Sequence, residues 1–182
     1  KHFDEGGAHP VRFNYEEIRA AGLPIKGFGG VSSGPEPLMR MHEQIRSILD
    51  QTDGQLLSVT TITDIMNLIG QCVVAGNVRR TAQIAIGDIE NKEYRKLKDY
   101  RWNPESGQYE GSMAHRASWG WASNNSVLVD RNSDFKPIAA QTAINGEPGY
   151  VFMDNIKAYS RLCDPADYKD EKAKGTNPCG EQ

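Results

Sequence analysis

Apolar residues recur at steps of three and four along two stretches of this chain, and the spacing predicts two amphipathic helices. The first predicted helix runs from Pro37 to Asp50, and its proline suits the first helical turn. The second runs from Thr61 to Ala75 and carries a wider apolar face, so we expect it to be the more buried of the two. Asp64 falls near the start of that helix, where the helix dipole favours a carboxylate.

Shorter apolar runs alternate with further helical patterns through the rest of the chain. Strands are predicted over Thr81 to Ile86, in the apolar run that ends at Val129, and over Tyr150 to Met153. Between the predicted strands and around them we expect an exposed charged helix over Glu90 to Asp99, a polar loop over Arg101 to Gly111, and helices over Tyr15 to Ala20, Asp134 to Ile144 and Asp154 to Leu162. This alternation predicts an α/β fold with a largely parallel sheet, either a closed barrel or an open sheet.

Composition limits the class of protein. The chain has 182 residues, of which 38% are hydrophobic, so it can form one domain, or one piece of a larger domain, with a buried core. A net charge of −3 gives no basis for binding nucleic acid or an anionic membrane. No apolar run is long enough to span a bilayer. The chain begins at Lys1 and stops within a loop, so we expect a fragment of a longer polypeptide.

The cysteines and histidines do not form a metal-binding pattern. Cys72, Cys163 and Cys179 are far apart, no C-x-x-C occurs, and the histidines are scattered, so we expect no metal site. Few cysteines and no export signal point to a reducing cytoplasm. Cys72 lies in an apolar stretch and is predicted to be a core residue, while Cys163 receives no role.

A glycine-rich stretch from Ala21 to Pro35 is the first candidate binding element. It holds five glycines at residues 22–34, so regular helix or sheet is not expected there. Backbone without Cβ atoms can approach a ligand closely, and Lys26 adds a positive charge. The stretch is either a nucleotide- or phosphate-contacting loop or a flexible connector. Neither a P-loop nor a dinucleotide-binding fingerprint is present.

The end of the chain gathers groups that can carry out catalysis. Asn177, Cys179 and Glu181 are separated by Pro178 and Gly180, which oppose helix and sheet, so a tight loop presents carboxamide, thiol and carboxylate together. A thiol hydrogen donor, a general base and an orienting amide form a plausible catalytic set. The alternative is a surface turn that contains a cysteine.

Two adjacent asparagines, Asn124 and Asn125, precede buried apolar residues, where their amides need hydrogen-bond partners. They either line a polar site or form a turn. The sequence pattern by itself does not choose between these two possibilities.

Taken in order, these motifs resemble ribonucleotide reductases. Residues 24–35 resemble the specificity-loop region of that family, and residues 72–82 look like the helix-to-strand segment that follows it in the adenosylcobalamin-dependent enzymes. Residues 123–127 and 146–149 are similar to later landmarks, and residues 177–181 match the finger loop that carries the radical cysteine. The closest resemblance is to the monomeric adenosylcobalamin-dependent ribonucleoside-triphosphate reductases.

The resemblance implies a fold and a chemistry. The family fold is a ten-stranded α/β barrel of two parallel halves with the finger loop threaded through it, and residues 1–182 would form about half of that barrel. By the family's pattern, Cys179 becomes a thiyl radical that takes the 3′ hydrogen of a ribonucleotide. Glu181 accepts the 3′-hydroxyl proton, and Asn177 hydrogen-bonds the ribose. Adenosylcobalamin, bound mainly outside this chain, would supply the radical chemistry.

The resemblance also implies regulation and partners. A deoxynucleotide effector and the substrate base would flank the specificity loop, which comprises Leu23, Pro24, Ile25, Lys26, Gly27, Phe28, Gly29 and Gly30. The substrate would be a ribonucleoside tri- or diphosphate, and thioredoxin or a similar dithiol would be the reductant. The family's pair of reducing cysteines lies outside this chain. A di-iron reductase and a non-catalytic nucleotide-binding fragment remain as alternatives.

Overall fold

Three strands form a parallel sheet in the computed structural model, which describes residues 11–27, 29–52, 54–160 and 164–178. The strands are β1 (Ile84–Asp88), β4 (Asn124–Leu128) and β5 (Gly149–Val151), with β4 in the centre. β1 and β5 both run parallel to β4. The prediction of an α/β fold with a parallel sheet is therefore confirmed.

The remaining elements surround this sheet. Strands β2 (Arg101–Asn103) and β3 (Gln108–Glu110) form a separate antiparallel pair. The helices are α1 (Glu36–Gln51), α2 (Val59–Val74), α3 (Lys92–Arg95), α4 (Lys136–Asn145) and α5 (Met153–Tyr159), and two short 3₁₀ helices cover Ala114–Ser118 and Gly120–Ala122.

Helix α2 begins two residues earlier than predicted because of its cap. Ser58 is the N-cap residue, and its hydroxyl accepts a hydrogen bond from the Thr61 N–H at 3.2 Å. The helix is the more buried of the two long helices, as expected, and Leu68 is 2% exposed. Strand β1 also differs from the prediction, since it starts three residues later and continues through Gly87 and Asp88.

The expected role of Asp64 as a partner of the helix dipole is not what the structure shows. Its Oδ1 accepts hydrogen bonds from Arg116 Nε at 2.7 Å and from Trp119 Nε1 at 2.6 Å. Arg116 is fully buried, and it also donates to the Leu97 carbonyl. Two charges removed from water need such mutual pairing, so this contact joins α2 to the first 3₁₀ helix.

The main core lies between the sheet and the segment after β1. The short helix predicted within Glu90 to Asp99 is present as α3, but its predicted exposure is wrong, because Tyr94 and Leu97 are buried. The Tyr94 hydroxyl donates to the Ala85 carbonyl at 2.5 Å, and burial raises the pKa of this phenol. The buried core cluster consists of Ile89, Tyr94, Leu97, Val127, Val129 and Ile138.

Two further expectations are corrected by local hydrogen bonding. The predicted polar loop over Arg101 to Gly111 contains the β2–β3 hairpin, whose turn is held by Asn103 Oδ1 accepting from the Glu105 N–H. Trp102 and Tyr109 pack edge to face across this pair at 5.2 Å. The predicted helix over Tyr15 to Ala20 is reduced to a turn.

The lengths and hydropathies of the helices bear on membrane insertion. Among the described residues, none of the helices has both the length and the apolar character needed to cross a bilayer.

We expect Asp64→Ala to lower local stability around Arg116 by about 3–5 kcal/mol, because a buried guanidinium loses its counter-charge. Hydrogen–deuterium exchange at residues 114–122 of the full-length protein measures this loss. Asp50→Ala is the matched control, since Asp50 is exposed near the end of α1 and its loss should change stability by less than about 0.5 kcal/mol. Unchanged protection in Asp64→Ala would contradict the structural role of the pair.

Candidate active site

The two faces of β4 differ sharply in burial, and this difference separates the two candidate asparagines. Side chains alternate between the faces of a strand, so Asn125 and Val127 share one face while Asn124 and Leu128 share the other. Asn125 is 3% exposed and Val127 is fully buried, whereas Leu128 is 40% exposed. One face therefore belongs to the core. The other face is open to residues 175–178, which are called the terminal segment below.

The terminal segment lies against this open face. Asn124 Nδ2 donates a hydrogen bond to the Pro178 carbonyl at 3.0 Å. Gly175 also lies against the sheet, because a Cβ built there would be 3.1 Å from Ile86 Cδ1. In the parallel pairing of β1 with β4, Ile84 lies beside Asn124, so their side chains share one face of the sheet. Ile86 is two residues further along β1, so its side chain lies on the same face. The segment thus crosses from β1 to β4.

The structure describes one of the three predicted catalytic residues. Asn177 lies within the described residues, directly before the anchored Pro178. Cys179 and Glu181 lie outside the described residues, so their predicted roles remain predictions. Asn124 contacts the terminal segment, whereas the Asn125 side chain is buried in the core. The lining of a polar site by these residues stays a prediction.

On the buried face, Asn125 is held by a polar network. The Ser123 hydroxyl donates to Asn125 Oδ1 at 2.9 Å, and the Asn125 N–H donates to Glu147 Oε2 at 3.0 Å. The same carboxylate oxygen lies 2.8 Å from Lys98 Nζ. Both charged side chains are largely buried, with 13% and 22% exposure, so the pair is shielded from solvent.

Lys98 connects this network to two further parts of the fold. Its ammonium donates to the Ser123 carbonyl at 2.6 Å, and its own carbonyl accepts hydrogen bonds from Gln141 and Asn145 of helix α4. Sequence reasoning missed Lys98 and Glu147, because each sits in a segment that resembles a solvated loop or turn. Their pairing spans 49 positions along the chain and carries no local signal.

The described part of the glycine-rich loop forms a narrow hairpin-like turn. The Ile25 N–H donates to the Gly30 carbonyl at 3.0 Å, and the Ser32 N–H donates to the Leu23 carbonyl at 2.8 Å. Pro24 and Val31 form an isolated antiparallel bridge. Residue 28 lies outside the described residues. The prediction that this stretch contains no regular helix or strand agrees with its described residues.

Gly30 is packed against a neighbouring segment, while Gly27 and Gly29 are not. A Cβ at Gly30 would lie 2.9 Å from Val78 Cγ2, so the loop contacts the connection between α2 and β1. Gly27 and Gly29 both have positive φ angles, of 90° and 72°, and neither has a neighbour within 4 Å of an added Cβ. Lys26, Gly27 and Gly29 are exposed, so this part of the loop can contact a ligand without rearranging the core.

Among the described residues, no group of three or more His, Cys, Asp or Glu side chains is placed to hold a metal ion. Open clefts beside α1, between α1 and α2, and beside β1 hold about 380, 620 and 430 Å³. These volumes suit compact ligands rather than a corrin with its adenosyl group. Cys72 lines the cleft between α1 and α2, and burial raises the pKa of its thiol.

Comparisons with known proteins agree with the sequence resemblance. A family described as "B12-dependent ribonucleotide reductase, insertion domain" matches residues 2–49. The chain is 49% identical over 171 residues to a probable adenosylcobalamin-dependent ribonucleoside-triphosphate reductase of Dictyostelium discoideum. The aligned region covers 93% of this chain and 21% of the relative. It is 46% identical over 172 residues to the adenosylcobalamin-dependent ribonucleoside-triphosphate reductase of Euglena gracilis, covering 94% of this chain and 22% of the relative.

A third relative, the adenosylcobalamin-dependent ribonucleoside-triphosphate reductase of Lactobacillus leichmannii, is 43% identical over 167 residues, covering 91% of this chain and 21% of the relative. The chain thus spans about a fifth of the length of the curated relatives it matches. No solved structure matches the chain with significance. The resemblance to adenosylcobalamin-dependent ribonucleotide reductases is confirmed by these matches.

We expect Glu147→Ala to weaken protection of the β4 amides by about 1–3 kcal/mol, because it leaves the Asn125 N–H without its buried acceptor. Glu147→Gln is the matched variant, since it keeps a side-chain oxygen for that N–H and removes only the charge that faces Lys98. Hydrogen–deuterium exchange of the full-length protein compares the two variants. Equal exchange in Glu147→Ala and wild type would argue against the network as a support of β4.

Proposed function

We propose that this chain is the segment of an adenosylcobalamin-dependent ribonucleotide reductase that carries the specificity loop and the finger loop. The observation that supports this most strongly is the similarity to such reductases over more than nine-tenths of the chain. The reaction is the reduction of a ribonucleoside triphosphate to the 2′-deoxyribonucleotide, which supplies DNA precursors. The triphosphate is favoured over the diphosphate because the relatives are named ribonucleoside-triphosphate reductases.

In the proposed reaction, the Cys179 thiyl radical takes the 3′ hydrogen atom of the ribose. The Glu181 carboxylate accepts the 3′-hydroxyl proton, while the Asn177 carboxamide hydrogen-bonds the sugar and holds it in place. The 2′ hydroxyl then leaves as water. Cys179 later returns the hydrogen atom to the 3′ carbon, so the net two electrons come from a dithiol, which becomes a disulfide.

The exposed face of β4 supports the proposed location of this chemistry. The terminal segment crosses that face, and Asn124 is bonded to the residue directly before Cys179. We propose that the three parallel strands belong to one half of the ten-stranded barrel and that this face points to its interior. The core on the opposite face is covered by helical segments, as the outer wall of an α/β barrel is.

Radical generation requires parts of the longer protein. The three clefts described above do not suit a corrin, and we propose that adenosylcobalamin binds mainly through residues outside this chain. A dithiol such as thioredoxin and a pair of reducing cysteines would complete the full-length enzyme. The di-iron alternative is less well supported, because the relatives are named as adenosylcobalamin-dependent.

The glycine-rich loop is the proposed link between effector and substrate. Gly30 lies against Val78, whereas an added Cβ at Gly27 or Gly29 would have no described atom beyond its chain neighbours within 4 Å. A deoxynucleotide effector on one side can therefore change the loop conformation that the substrate base meets on the other.

We expect Cys179→Ser in the full-length protein to abolish deoxynucleotide formation, because a serine hydroxyl does not replace the thiol as hydrogen abstractor. Nucleotide affinity should stay within about threefold, since the thiol is not expected to carry binding energy. Product assay with ribonucleotide, a dithiol and adenosylcobalamin tests this, with Glu181→Gln in parallel. Cys72→Ser is the matched control, and it should leave turnover near the wild-type level. Substantial turnover by Cys179→Ser would remove Cys179 from the radical role.

We expect Gly30→Ala to reduce the effector-dependent preference among bases by about fivefold or more. The φ of Gly30 is +84°, and the added methyl group would press on Val78, so the loop base must shift. Competition between two ribonucleotides, with and without effector, measures the preference. Gly107→Ala is the control, because it has a similar positive φ of 66° in the β2–β3 turn but no atom within 4 Å. Equal preferences in both variants would count against the loop's role.

A further inference from the structure

One side chain joins the sheet to the start of the proposed catalytic loop. Asn124 Nδ2 donates to the Pro178 carbonyl at 3.0 Å, across 54 positions of sequence. Pro178 directly precedes Cys179, so the orientation of its carbonyl defines the start of the loop that carries the thiol. A proline carbonyl can be held only by a donor, and a carboxamide supplies one while a carboxylate does not.

The position of Asn124 is fixed by the backbone on both sides. Its own N–H donates to the Gln83 carbonyl at 2.9 Å. Gln83 is in turn tied to helix α2, because its Nε2 donates to the Met66 carbonyl at 3.0 Å. The following N–H, of Asn125, donates to the Glu147 carboxylate at 3.0 Å. Hydrogen bonds to Gln83 and to Glu147 therefore hold the backbone on both sides of the Asn124 side chain.

A second contact places the terminal segment against the same face of the sheet. The backbone at Gly175 lies against the Ile86 side chain on the same sheet face as Asn124. The terminal segment therefore meets the sheet at two points, one apolar on β1 and one polar on β4. The apolar contact sets the distance of the segment from the sheet, while a directed hydrogen bond sets its rotation and register.

We infer that Asn124 is a positioning residue: its carboxamide fixes the Pro178 carbonyl and so aligns the loop that presents Cys179. The consequence for catalysis rests on the proposed reductase function, whereas the anchoring itself does not. Asn125 has a different task, because its side chain is buried on the opposite face with Ser123. The adjacent asparagines therefore serve two separate sites.

Three substitutions in the full-length protein test the anchor. Asn124→Ala removes the donor, Asn124→Asp keeps the shape but places a second acceptor against the carbonyl, and Asn124→Gln retains a donor on a longer side chain. Asn132→Asp is the matched control, because Asn132 is exposed in the loop before α4 and the substitution adds the same charge. All four are compared with the wild type.

The first readout is the alkylation rate of Cys179, followed by mass spectrometry in the absence of substrate. Loss of one hydrogen bond should release the loop and change this rate by about fivefold in Asn124→Ala, and by at least as much in Asn124→Asp. The rate for Cys72 in the same molecules is the internal reference and should not change. Asn124→Gln should recover part of the wild-type rate, and Asn132→Asp all of it.

The second readout separates kcat from KM during turnover. A misplaced thiol should lower kcat by about tenfold to a hundredfold in Asn124→Asp, with KM nearly unchanged. Wild-type alkylation rates in both Asn124→Ala and Asn124→Asp would overturn the anchor, whatever happens to kcat. An inactive wild-type enzyme would instead refute the proposed function, and the alkylation rates would still decide whether Asn124 holds the loop.

Discussion

The packing of the core and the attachment of the terminal segment both follow from the alternation of side chains along β4. Because successive residues point to opposite faces, a five-residue strand serves the core through Asn125 and Val127 and the terminal segment through Asn124. A shift of one residue in the pairing with β1 would exchange these faces. The register therefore determines both the packing of the core and the place where the terminal segment attaches.

Buried polar contacts maintain that register from two sides. The Asp64–Arg116 pair ties helix α2 to the segment before β4, and the Lys98–Glu147 pair holds the β4 backbone through Asn125. Each pair is costly to bury and becomes favourable only when every partner is in place. These contacts make the arrangement around β4 specific, because a displaced strand would leave charged groups unpaired away from water.

The glycine-rich loop and the terminal segment are both attached to the rest of the fold by specific contacts. Gly30 lies against Val78, and the Pro178 carbonyl accepts a hydrogen bond from Asn124. Fixed attachment points of this kind suit the proposed reductase, in which an effector changes the choice of base through the specificity loop.

Local periodicity and ordered motifs were enough to predict the helices α1 and α2, the parallel α/β class and the family resemblance. The same motifs pointed to Asn124, Asn125, Asn177, Cys179 and Glu181 as candidate site residues. The folded structure was needed to show that Asn124 contacts the terminal segment while Asn125 enters the core. Contacts between residues tens of positions apart, such as the ion pairs, leave no pattern in the local sequence, since strand register and chain folding alone bring those groups together.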